Sequence, residues 1–204
     1  MPVRPDPSPP EGHVALIGMM AVGKSTVGRA LAGSWGRPFV DTDDAIEAAT
    51  GCTVRELWEA GGEDAYRPQE RQAVLDALAA TDPVVLAVPG GVAVDDHMAS
   101  AVARDGVTTL YLRASAATLA ARVGDGDDHR PLLGDDPATA LTDLLDERDG
   151  TYLALADHVV EVDGRTPEQV EVAVRRALVG GGDPLRVAPP PRPPAAPDPR
   201  DGSG

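Results

Sequence analysis

The chain has 204 residues, 42% of them hydrophobic and only 3% aromatic, with a formal net charge of −15. That length suits one domain of ordinary size with an aliphatic core, and the acidic balance argues against nucleic acid and anionic membranes as partners. No run approaches the ~20 apolar residues of a membrane span, and a lone Cys52 leaves no intrachain disulfide and no cysteine-held metal.

Taken from the N-terminus, residues 1–12 are proline-rich, lack an apolar signal core and are expected to be disordered. A strand at 13–17 leads through a glycine-containing loop into a helix at 24–34, followed by a second strand at 38–41. Helices are predicted at 43–50, at 53–60 with Thr53 as its cap, and at 68–80 with Pro68 in its first turn. A strand at 84–88, a helix at 95–104, a strand at 107–112 and a helix at 116–123 come next. The Gly- and Asp-rich stretch of about 124–136 reads as a mobile lid. A helix at 137–156, a strand at 158–162 and a helix at 167–179 close the body; Pro137 and Pro167 suit first helical turns. The remainder, 180–204, has seven prolines between Pro189 and Pro199 and is expected to be disordered.

Strands that are apolar along their whole length belong to a parallel sheet covered by helices on both faces. The expected fold is therefore α/β: a single three-layer domain over 13–179 with a five-stranded parallel sheet. Ligands of such sheets bind outside the carboxyl ends of the strands.

The loop after the first strand is Gly18-Met19-Met20-Ala21-Val22-Gly23-Lys24-Ser25-Thr26, which fits the phosphate-loop pattern G-x-x-x-x-G-K-[ST]. Its strand-loop-helix setting is the one the motif needs: backbone N–H groups and a helix N-terminus surround the phosphates. Lys24 would reach the β- and γ-phosphates, and Ser25 would supply an oxygen to magnesium. Lys24 is the chain's only lysine, against 17 arginines. A compact ammonium fits a backbone cradle where a planar guanidinium does not. In so acidic a chain, a metal ion and a few arginines must reverse the local field.

Other candidates follow the strands. Asp41 and Asp43 are one residue apart on a segment read as extended, so both carboxylates can face one cleft; otherwise Asp43 or Asp44 caps the next helix. Asp43 is then a hydrogen-bond acceptor and candidate base for an attacked hydroxyl. Arg67 precedes Pro68, which favours an extended backbone at a helix entrance. Glu70 either orients Arg67 or is one more surface acid. Arg148, among Asp146, Glu147 and Asp149, reads on its own as an exposed helix residue. Arg130, in the lid stretch, either closes onto a phosphoryl group or pairs with its acidic neighbours.

Many segments match one family in order and spacing. They are Lys24 to Arg29, Phe39-Val40-Asp41-Thr42-Asp43, Gly51 with Thr53, Gly62-Glu63 leading to Tyr66-Arg67 and Glu70, Gly90-Gly91, Arg130-Pro131-Leu132-Leu133, Glu147-Arg148 with Tyr152, and Val162-Asp163-Gly164 with Pro167. Over residues 13–178 the chain resembles shikimate kinase. That family is a branch of the P-loop, nucleoside-monophosphate-kinase-like fold, with five parallel strands and a mobile lid. The resemblance implies ATP as co-substrate with Mg²⁺, and transfer to the 3-hydroxyl of shikimate in chorismate and aromatic amino-acid synthesis. It implies Lys24, Asp43 and Arg130 as catalytic residues. Nucleotide contacts would come from Gly18, Ala21, Val22, Gly23, Lys24, Ser25, Thr26 and Arg130, with Arg122 packing on adenine and Pro167 on the adenine-side loop. Asp43, Arg67, Gly90, Gly91 and Arg148 would bind the acceptor, the two arginines holding its carboxylate bidentately. Ser25 and Asp41 would hold the metal. A cytoplasmic monomer is expected.

The chain departs from the family twice. Ala21 stands where glycine is usual, which matters if that position needs positive φ. Pro89 replaces the first of three usual glycines, removing an N–H and fixing φ. Two rival readings stay open: a related kinase acting on another polyol or cyclitol, and a non-catalytic nucleotide-binding regulator.

Overall fold

In the computed structural model, which describes residues 9–124 and 136–179, five parallel strands pair in the order β2-β3-β1-β4-β5. They are β1 (His13–Ile17), β2 (Phe39–Asp41), β3 (Val85–Ala87), β4 (Val107–Arg113) and β5 (His158–Glu161). Between and after them lie α1 (Lys24–Trp35), α2 (Thr42–Thr50), α3 (Val54–Leu78), α4 (Asp96–Val102), α5 (Ala116–Gly124), α6 (Pro137–Leu155) and α7 (Pro167–Leu178). This is the expected α/β domain with a five-stranded parallel sheet. The predicted lid with Arg130, the first eight residues and the segment after 179 lie outside the described residues.

β1 is central because it is apolar on both faces: Val14 pairs with Val85 on one side and Thr108 on the other, and Val14 to Ile17 are fully buried. Strand and helix residues that remove apolar surface from both sides of the sheet form one continuous core. Among the described residues no helix is long and apolar enough to cross a membrane. The chain is already held at its entry to the sheet, where Arg37 donates to the Gly12 and Pro10 carbonyls.

Two readings of the sequence need correction. The helices placed at 53–60 and 68–80 are one long element, α3, interrupted at Gly62 alone and not over the whole of 61–67. Gly62 adopts φ 60°, ψ −147°, a conformation open to glycine alone, so the chain turns there and the second half of the helix starts. Pro68 then lies inside the helix, where it deletes one i→i−4 bond without ending the helix. Arg67 is consequently helical, not extended, and reaches the cleft from a helix face. The second correction concerns Asp41 and Asp43. The strand ends at Asp41, which caps α2 by accepting from the Asp43 N–H at 3.2 Å. Asp43 therefore lies in the first helical turn, and a cap rather than strand alternation sets the pair's geometry.

Candidate active site

The carboxyl ends of β1, β2 and β3 open into a cleft of about 570 Å³. The phosphate loop forms one wall. Gly23, at φ 105°, is the N-cap of α1, so the first free amides of that helix point into the loop. The Lys24 ammonium folds over the loop and donates to the Gly18 carbonyl at 2.9 Å and the Met19 carbonyl at 3.0 Å. Phosphate oxygens would compete for the same ammonium protons. From α5, Arg122 donates to the Val22 carbonyl at 2.9 Å and ties the loop to that helix. Ala21 is the one non-glycine with positive φ among the described residues, at 61°. The condition under which alanine is strained there is thus met, at a cost of about 1–2 kcal/mol.

The rest of the cleft lining is assembled from four separate elements. Asp41, Thr42 and Asp43 come from the β2–α2 junction; Trp58, Tyr66, Arg67 and Glu70 from α3; Pro89, Gly90 and Gly91 from the turn after β3; and Arg148 from α6. Lys24 and Ser25 face them across the cleft. The structure thus brings together every candidate acceptor and metal residue. Arg122 and Pro167 stand apart from this lining, the first bonded to the phosphate loop and the second at the start of α7.

Inside the cleft charges are paired closely. Arg67 Nη1 donates to Glu70 Oε2 at 2.6 Å, and Arg67 Nε to Glu63 Oε1 at 2.8 Å. Glu70 is only 3% exposed; its burial raises its pKa, opposed by the Arg67 guanidinium. It orients Arg67 and is not a surface acid. Gly91 makes this arrangement possible: a Cβ there would fall 2.5 Å from Arg67 Nη1. Burial likewise raises the Asp43 pKa, against a hydrogen bond from the Tyr66 hydroxyl to Oδ1 at 2.9 Å.

Arg148 is 6% exposed despite its acidic neighbours, so the reading of an exposed helix arginine does not hold. Its inward rotation follows from the next residue. Asp149 is clamped to the sheet by Arg113 on β4, at 2.8 and 2.9 Å, and by the Tyr111 hydroxyl at 2.7 Å. Tyr111 stacks on Tyr152, whose hydroxyl donates to the Gly90 carbonyl at 2.8 Å. Burial pushes the Tyr152 phenol up to about 12, so it stays a donor. Among the described residues Arg148 Nε is buried without a hydrogen-bond partner, which leaves donor capacity on this guanidinium unused.

The rings are the functional residues that motif reading undervalued. Tyr66, Tyr111 and Tyr152 are all the tyrosines of the chain, and each joins the network around the cleft. Their scarcity in a chain with 3% aromatic residues was the available signal.

Pro89 adopts φ −63°, ψ 153° and caps a 3₁₀ turn over Gly90–Ala93. Its missing N–H leaves this turn intact, since Val92 N–H bonds to the Pro89 carbonyl at 3.1 Å. For a divalent cation, Ser25 and Asp41 offer two hard oxygens beside the phosphate loop. No group of three or more His, Cys, Asp or Glu residues that could hold a metal exists among the described residues. That donor set fits magnesium, which takes few protein ligands and fills its sphere with water and phosphate oxygens.

A sequence model described as shikimate kinase matches residues 20–178. The chain belongs to the shikimate kinase family. The shikimate kinase of Salinispora tropica is 42% identical over 163 residues, 80% of this chain and 95% of that protein. That of Pseudomonas syringae pv. syringae is 39% identical over 167 residues, 81% of this chain and 95% of that protein. Among solved structures, the shikimate kinase from Acinetobacter baumannii in complex with shikimate superposes with a TM-score of 0.77 at 29% identity, covering 83% of this chain and 93% of that one. A gluconokinase from Sinorhizobium meliloti, at TM-score 0.55 and 22% identity, shares the fold.

Proposed function

We propose that the chain is an ATP-dependent shikimate kinase, transferring the γ-phosphoryl group to the 3-hydroxyl of shikimate and releasing ADP and shikimate 3-phosphate. The observation that carries this reading is the pair of half-buried to buried arginines, Arg67 and Arg148, across one cleft from Lys24. A cleft that joins a phosphate loop to two guanidiniums suits an acceptor with a carboxylate at one end and a hydroxyl at the other. The chemistry is in-line phosphoryl transfer, in which positioning and charge stabilisation provide most of the catalysis. Lys24 neutralises β- and γ-phosphate charge. Asp43 orients or deprotonates the attacked hydroxyl, and its raised pKa from burial suits it to receive a proton. Arg67 and Arg148 hold the carboxylate, with Gly90 and Gly91 leaving room beside them. Arg130 is assigned to the transferring group, Arg122 and Pro167 to the adenine side. Mg²⁺ with ATP, held by Ser25 and Asp41, supplies further charge compensation. We assign the protein to the cytoplasm as a monomer, in aromatic amino-acid biosynthesis.

A coupled ADP-release assay with ATP, Mg²⁺ and shikimate tests this directly. Turnover above the acceptor-free blank is expected; none would sink the proposal. The arginine pair disfavours an uncharged polyol, and an acceptor panel run in the same assay separates the two. The presence of Lys24, Asp41 and Asp43 in one cleft counts against a non-catalytic regulator.

A further inference from the structure

We propose that the Tyr66 hydroxyl is a positioning group for phosphoryl transfer: it commits one oxygen of Asp43 and so aims the other at the acceptor hydroxyl. This rests on the assignment of Asp43 as the partner of that hydroxyl. Tyr66 follows the Gly62 break in α3, is 8% exposed, and donates to Asp43 Oδ1 at 2.9 Å. The bond crosses from α3 to α2, between residues 23 positions apart. A carboxylate in the first turn of a short helix can rotate about χ1 and χ2; a phenol bonded to one oxygen stops that rotation and leaves Oδ2 for a ligand.

The phenol is itself held. Its ring meets Trp58 edge-on, with centroids 5.8 Å apart and planes at 65°. Burial first, then the Glu70 and Asp43 charges, push its pKa up, so it acts as donor and not as base. The next residue is Arg67, tied to Glu70. One turn of α3 therefore presents the carboxylate-binding guanidinium and, through the phenol, sets the orientation of Asp43. The phenol thereby ties Asp43 on α2 to the helix that carries Arg67. Misplacing reacting groups by about 1 Å costs up to 10²-fold in rate, so loss of this bond has a measurable consequence.

The test is Tyr66→Phe, which keeps the ring against Trp58 and removes only the hydroxyl. Wild-type turnover of shikimate is measured first; its absence would overturn the activity assignment, a result independent of Tyr66. With the wild type active, kcat is expected to fall roughly tenfold in the variant while equilibrium affinities for ATP and shikimate stay within about threefold. A Tm within about 2 °C of wild type is expected as well. A kcat within twofold of wild type overturns the proposal. So does a parallel loss of kcat, nucleotide affinity and Tm, or failure to fold, either of which makes Tyr66 a structural residue.

Discussion

Gly91→Ala should disable the acceptor side while leaving the nucleotide side intact. A methyl at position 91 would sit 2.5 Å from Arg67 Nη1, 3.3 Å from its Cζ and 3.0 Å from Glu70 Oε2. Ordinary contact begins near 3.4 Å, so the guanidinium has to retreat by about 1 Å. It cannot retreat freely, because Nη1 is held to Glu70 at 2.6 Å and Nε to Glu63 at 2.8 Å. A shift of that size in a substrate-orienting group costs on the order of 10²-fold, or about 2.7 kcal/mol of transition-state stabilisation. The expected result is a roughly 100-fold lower kcat/KM for shikimate with an unchanged KM for ATP, read from the coupled assay with each substrate varied in turn. Gly90→Ala is the control. Its methyl would lie 3.5 Å from the Tyr152 hydroxyl and 3.9 Å from Arg148 Nη1, both ordinary distances, and its loss should be clearly smaller. If Gly91→Ala stays within threefold of wild type, or the two variants lose equally, crowding of Arg67 is not what makes glycine necessary at 91.

Three further outcomes are expected. Lys24→Arg should lower kcat by roughly 100-fold or more, because a planar guanidinium cannot replace the ammonium in the loop, with the Tm from thermal melting close to wild type. Ala21→Gly should relieve about 1 kcal/mol of backbone strain at φ 61° and raise Tm by about 2–4 °C in a calorimetric scan. Arg148→Ala should weaken shikimate binding roughly 10- to 100-fold by titration calorimetry while ATP affinity stays within about twofold; equal losses for both ligands would mean that Arg148 only supports α6.

The sheet was legible in the sequence because strands covered on both faces are mostly apolar, and all five apolar runs became strands. The phosphate loop was legible because its chemistry is local: glycines, lysine and serine act within nine consecutive residues. The rest of the cleft lining was not. Arg148 looked solvated because its sequence neighbours are acidic, whereas its orientation depends on Asp149 meeting Arg113, 36 residues away, across the sheet edge. The stretch 61–67 between the two predicted helices is helical except at Gly62, because a proline costs one hydrogen bond inside a helix whereas a glycine at positive φ redirects the chain. The Tyr66–Asp43 bond joins two helices whose docking no periodicity specifies.

The ammonium seated on the Gly18 and Met19 carbonyls has a practical side. It is the only side-chain primary amine in the chain. Acylating reagents, amine-reactive dyes and amine coupling to a sensor surface therefore have two targets, the N-terminus and the nucleotide site. Labelling at Lys24 is expected to block nucleotide binding instead of reporting it, with ATP protecting against the modification. The exposed Cys52 is the better handle for tethering this protein.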